Sequence, residues 1–139
     1  IFNYNKYSTG HFLDLSVAYD FDTKLEVPLR LYWATIFAGR DLNSAGNNMY
    51  STFVYGEYSV FRNDHWIVDL GLGGTFAFNR TEADGSRNFY GTDHLNQISL
   101  KTTYLLKLGR FEMPVFAHAM WNPDIRSGYL QVGVKLFAF

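Results

Sequence analysis

The chain has no cysteine in 139 residues, which excludes disulfides and thiolate metal sites and says little about compartment. Neither sign of charge dominates. Lys and Arg number 12 against 13 Asp and Glu, a net charge of −1, and no basic run offers a footprint for nucleic acid. No uninterrupted apolar run approaches the ~18 residues of a helical membrane span. Membrane residence would therefore require strands, because only helices and closed barrels satisfy their backbone groups in lipid. An initiating Met and a signal peptide are also missing, so the leader of an exported form, with any further chain, would lie outside this sequence.

What is present is aromatic and alternating. Hydrophobic residues make up 47% and aromatics 19%, too apolar for a disordered chain and consistent with one domain or part of one. The stretch 64–79, DHWIVDLGLGGTFAFN, places Trp66, Val68, Leu70, Leu72, Gly74, Phe76 and Phe78 on one face at a period of two. Ile67, Asp69, Gly71, Gly73, Thr75 and Ala77 fall on the other, so one face is greasy and the other small or polar. Aromatics at both ends with aliphatics between them suit a strand crossing a bilayer between two aromatic girdles.

The theme repeats at 11–21, 28–39, 49–61, 96–108, 113–121 and 129–139, giving seven strands and no convincing helix. Residues 1–10, 40–48, 79–94 and 122–128 read as loops, and 22–26, 61–65 and 109–112 as short turns. After the first strand the connections run short, long, short, long, short, medium. That alternation separates the two ends of an up-and-down barrel, with short turns on the periplasmic side and longer loops outside. The fold class expected is therefore all-β, an antiparallel up-and-down transmembrane β-barrel spanning residues 1–139. Seven is odd where bacterial single-chain barrels are even. Residues 1–5 would end an eighth strand, or further strands would precede Ile1, and the second reading is preferred.

Residues 28–41, PLRLYWATIFAGRD, followed by Tyr50-Ser51-Thr52, resemble the TorF-type porins, outer-membrane β-barrel proteins of Gram-negative bacteria. IFNYNKYSTGHFLDLSVAYDF at the start, NQISLKTTYLLKL at 96–108 and MPVFAHAMWNP at 113–123 resemble the same family in the same order. The likeness extends over nearly the whole chain but includes no catalytic motif. It implies a porin-like role, and it implies the carboxyl-terminal portion of a larger, even-stranded barrel. One departure concerns the assembly signature, which wants the terminal Phe in phase with lipid-facing positions. Here Phe137 and Phe139 share phase with Gln131 and Lys135.

On the barrel reading the inward faces carry Asp14, Asp20, Arg30, Glu57, Asp69, Lys101, Lys107, His118 and Lys135 as pore-lining candidates. They would line an open pore, or pair across a narrow filled lumen, since charges in a dry interior must be compensated. Tyr19, Trp33, Trp66, Phe76, Phe78, Tyr104 and Trp121 are the lipid-interface candidates.

No catalytic set, cofactor or metal site is expected. His118 has no G-x-S-x-G elbow or spaced Ser near it, and His11, His65 and His94 lack metal-ligand spacing. Gly71 to Gly74 lie inside a strand and open no helix, so they make no phosphate loop and instead leave room for a bulky neighbour or ease curvature. The loop at 79–94 is read as solvated, with a ligand- or partner-binding surface as its alternative. The function expected is a porin-like barrel of a bacterial outer membrane for passive passage of small solutes. Its partners would be outer-membrane lipid and envelope proteins, not nucleic acid. A non-conducting structural or partner-binding barrel is the first rival, and a soluble lipocalin-like barrel the second.

Overall fold

The period-two stretches fold as one antiparallel sheet. The computed structural model describes residues 11–21, 27–109 and 111–136. Its strands are β1 (Phe12–Asp20), β2 (Leu29–Gly39), β3 (Ser51–Arg62), β4 (Trp66–Ala77), β5 (Arg87–Asn88), β6 (Gly91–Thr92), β7 (Leu95–Leu108), β8 (Phe111–Asn122) and β9 (Ser127–Val134). Seven form a meander in the order β1-β2-β3-β4-β7-β8-β9, while β5 and β6 make a separate two-stranded hairpin. Each meander strand pairs with its neighbour in sequence, so connections alternate between the two ends of the sheet. The strand ends that lead to the short β1–β2, β3–β4 and β7–β8 connections lie at one end, and the connections at 40–50, 78–94 and 123–126 at the other.

Several boundaries differ from the sequence expectation. β3 begins at Ser51 because Met49 donates its N–H to the Asp41 carbonyl within the preceding loop. The β7–β8 ribbon runs on past Met113, with Lys107 opposite Glu112 and Leu108 opposite Phe111, so Phe111 and Glu112 of the turn expected at 109–112 are strand. β9 covers Ser127–Val134, starting two residues before the expected 129, and residues 135–136 lie outside it. The connection 79–94 contains a single 3-10 turn, Glu82–Asp84, and the β5–β6 hairpin. The loop expected at 1–10, the turn at 22–26 and the phase of Phe137 and Phe139 lie outside the described residues.

A closed barrel is not found: among the described residues β1 and β9 are unpaired edges. With seven alternating strands these edges run in the same direction. Closure by antiparallel pairing alone would need an odd number of further strands between them. The sheet is nevertheless curled. Seven flat strands would hold their edges roughly 29 Å apart, yet Asp20 of β1 and Lys135 just beyond β9 line one groove of about 220 Å³. The rows of paired residues also climb across the sheet. The row starting at Leu29, the first residue of β2, passes Tyr58, Leu70 and Leu100 to reach Ala119 and Leu130 near the opposite end. Strand inclination of this kind accompanies barrel curvature.

The faces separate as the alternation predicts, and their exposure is the reverse of a water-soluble sheet. Leu15 is 62% exposed, Leu130 72% and Val132 69%, while Asp69 on the opposite, concave face is 6% exposed and Ser99 4%. The bulge on β2 sets Phe37 aside and leaves Ile36, which interrupts the polar phase, fully buried. A second bulge, at Val60, leaves Val60 and Phe61 both exposed.

Glycine makes room on the concave face. A Cβ at Gly71 would overlap the Tyr55 hydroxyl and the Ser99 Oγ, and one at Gly73 would meet the Phe53 ring at 3.0 Å. Gly71→Ala should therefore displace Tyr55 from its partners and cost about 1–3 kcal/mol in urea unfolding. Gly56→Ala, where the new Cβ would meet only Leu31 at an ordinary 3.4 Å, should stay within about 0.5 kcal/mol of the unsubstituted chain.

Candidate functional site

The concave wall gathers most of the charges read from the sequence. Asp20, Arg30 and Glu57 are consecutive in one paired row, so strand register alone puts their side chains together. Arg30 donates from Nε and Nη2 to Asp20 Oδ2 at 3.2 and 2.9 Å, and from Nη1 to Glu57 Oε1 at 3.3 Å. Tyr55 Oη donates to Glu57 Oε2 at 3.1 Å and lies 2.8 Å from Ser99 Oγ, spanning the space that Gly71 leaves open. On the next inward row the Ser59 hydroxyl donates to Asp69 Oδ1, and Asp69 stands opposite Lys101 of β7.

Lys101, His118 and Gln131 continue that row onto β8 and β9, and Lys135 lies farther along the same phase. Arg30, Glu57, Asp69, Lys101 and Lys135 all line the groove that Asp20 enters. Two candidates stand apart. Lys107 sits opposite Glu112 on the part of the β7–β8 ribbon that outruns β4, and is exposed. Asp14 shares the inward phase but lies toward the long-connection end, under the loop that carries Tyr90.

That loop is not simply solvated. Phe89 donates its N–H to the buried Ser51 hydroxyl at 2.9 Å, and Ser51 in turn donates to the buried Asp41 at 2.7 Å. The Arg40 guanidinium lies over the Phe12 and Phe89 rings, 5.3 and 4.9 Å from their centroids. Tyr90 packs on Phe53 at 6.1 Å, and Phe53 stacks beside Tyr55 at 6.4 Å. Burial pushes the Tyr90 phenol above its ordinary pKa, and the charges of Asp14 and Asp41 act in the same direction. Farther out, Asp84 accepts from Thr81 and from the Ser44 N–H, and Arg80 pairs with Asp93. Asp124 of the 123–126 turn accepts from the Thr92 hydroxyl at 2.7 Å and lies 3.2 Å from His94 Nε2. The three longer connections are thus tied together over one end of the wall.

Tyr55, Ser59, Ser99, Asp41 and Tyr90 belong to this constellation and were not among the sequence candidates. An aromatic at 55 in the phase of Glu57 is a readable signal for the first. Asp41 and Tyr90 depend on how the loops fold and leave no signal in periodicity.

The convex face carries the expected aromatics in groups toward the two ends. Trp33, Phe76 and Phe78 form one, with centroids 5.0–6.5 Å apart, toward the long connections. Trp66 with Tyr104 at 4.8 Å and Tyr19 with Phe21 at 4.7 Å lie toward the short ones. Trp121 is next to last in β8, at the long-connection side, and is exposed. The chain matches no protein-family model, no curated protein and no solved structure.

The loop ties predict a response to acid. Hydrogen bonds from Thr81 lower the Asp84 pKa, and those from Thr92 lower that of Asp124. Such bonds are present in full above the ordinary carboxylate range, about pH 4, and are lost as the pH falls through the depressed values. Hydrogen exchange at Ser44, Thr81 and Thr92 should accelerate there relative to the strand amides, after correction for intrinsic rates. An unchanged ratio would contradict these ties.

Proposed function

We propose that this chain forms part of the wall of a transmembrane β-barrel of an outer membrane, with its polar concave face toward a lumen that passes small solutes passively. The observation that carries this reading is the inverted sheet. Exposed leucine and valine cover one face, while Asp69, Ser99 and Thr103 are buried on the other. An apolar face this extensive on a monomer in water marks an interaction surface or an aggregation hazard, and hydrocarbon as the outer solvent removes the conflict. The aromatic groups toward each end suit the two interfaces. Strands such as β4, with 12 residues, reach about 28 Å along the membrane normal at a tilt near 45°. Unpaired backbone on β1 and β9 would be costly in lipid, so this reading requires that further strands pair with both edges.

A second reading has its own support. The Arg30 network and the docked loop carrying Phe89 and Tyr90 fill part of the concave space, which favours a barrel that holds structure or partners without conducting. A lipocalin-like barrel in water would want the opposite sidedness.

Single-channel recording in a planar bilayer separates the first two. The pore reading expects steady conductance whose cation preference falls in Asp69→Asn. Insertion without current would support the non-conducting barrel and overturn the pore. Leu70→Arg, on the exposed apolar face, should lower stability in the bilayer by about 2–4 kcal/mol. A Leu70→Arg protein that is stable and soluble in buffer would contradict the membrane reading.

A further inference from the structure

The groove over β7, β8 and β9 is chemically unlike the rest of the wall. It measures about 440 Å³, and Lys101 and Lys135 line it without any carboxylate among its lining residues. Neither ammonium group forms an ion pair among the described residues. The acid opposite Lys101 is Asp69, which already accepts the Ser59 hydroxyl, and farther round the wall Asp20 and Glu57 hold Arg30. The acids of the inward face thus concentrate on β1 to β4, and the lysines without ion pairs lie on β7 and just past β9, where this groove borders the acidic one.

His118 lies between Lys101 and Gln131 in the paired row, and its Nε2 is buried with no hydrogen-bond partner. That nitrogen is closed off from solvent, while other atoms of the His118 side chain line the groove. The floor is apolar. The Phe116 ring lies so close to Gly133 that a Cβ there would approach it to 2.6 Å, and Pro114 adjoins it. Cationic groups beside an aromatic floor suit a ligand that is anionic at one end and apolar at the other.

We infer that this groove is a binding subsite for small organic carboxylates. The carboxylate lies between the Lys101 and Lys135 ammonium groups, and the apolar body rests on Phe116 and Pro114. Charge-assisted hydrogen bonds from the two lysines supply the orientation, and the His118 ring, which lines the same groove, reports on occupancy. The inference rests on the reading that the concave wall faces water, and it narrows the solutes of that wall to a class.

The test is a titration of the full chain, refolded in detergent, with benzoate and separately with benzylammonium, followed through the His118 ring resonances. Benzoate should shift them saturably, and Lys101→Gln or Lys135→Gln should each weaken it about tenfold. Benzylammonium should produce no saturable shift. Both lysines reach solvent at the groove, so their loss should leave folding intact, which strand-amide spectra would verify. The subsite is overturned if benzoate gives no saturable shift, if the double variant binds benzoate as well as the unsubstituted chain, or if benzylammonium binds equally. A conducting channel whose His118 ignores benzoate would sink the subsite and leave the pore reading standing. Saturable benzoate binding by a barrel that carries no current would do the reverse.

Discussion

Strand register is the constraint on which the rest depends. Each pair in the meander fixes which residues stand side by side, and at a period of two a slip of one position would exchange the faces. The row Asp20, Arg30, Glu57, Gly71, Ser99 shows what the register accomplishes. It sets a cation between two acids, then places a glycine where Tyr55 must cross to reach Ser99. The neighbouring row Leu29, Tyr58, Leu70, Leu100 presents only apolar or amphipathic groups to the other side. One alternation thus writes a compensated polar wall and a hydrocarbon-compatible wall into the same strands.

The polar wall solves a problem of charge burial in two ways. On β2 and β3 opposite charges are joined by hydrogen bonds, the arrangement that makes a partly buried ion tolerable. On β7 to β9 the cations face an open groove instead, where water or an anion can meet them. The loops divide along the same lines. The connections at 40–50 and 78–94 are pinned through Asp41, Ser51 and Phe89 to the end of the sheet, and the 123–126 turn is tied to them through Thr92. Tyr90 is thereby held over Phe53, narrowing the concave space from the long-connection end.

The strands and their faces were legible because alternation is a local signal. Leu13, Leu15, Val17 and Tyr19 against Asp14, Ser16, Ala18 and Asp20 need no tertiary knowledge to read, and the sheet uses them as written. Phe53 and Tyr55 in the polar phase make β3 harder to read, and they are there because Gly73 and Gly71, diagonal to them on β4, leave room for rings. The bulges at Phe37 and Val60 shift register by one residue for reasons that lie in pairing, not in composition. Loop docking was illegible for a different reason. A polar stretch such as NRTEADGSRNFYGTDH has the composition of a solvated loop, and only its contacts with Ser51, Asp41 and Arg40 distinguish it.

The central claim is that the apolar face of this sheet meets hydrocarbon and the polar face meets water. Because the chain has no cysteine, single cysteines along β4 report each position without background. Spin labels at 67 through 70 and at 72, with the protein reconstituted in lipid vesicles, would be compared for relaxation by oxygen and by a water-soluble nickel chelate. A period of two is predicted, with the Val68, Leu70 and Leu72 positions open to oxygen and the Ile67 and Asp69 positions shielded from lipid. Equal accessibility along the strand, or leucine positions open to the chelate, would contradict it.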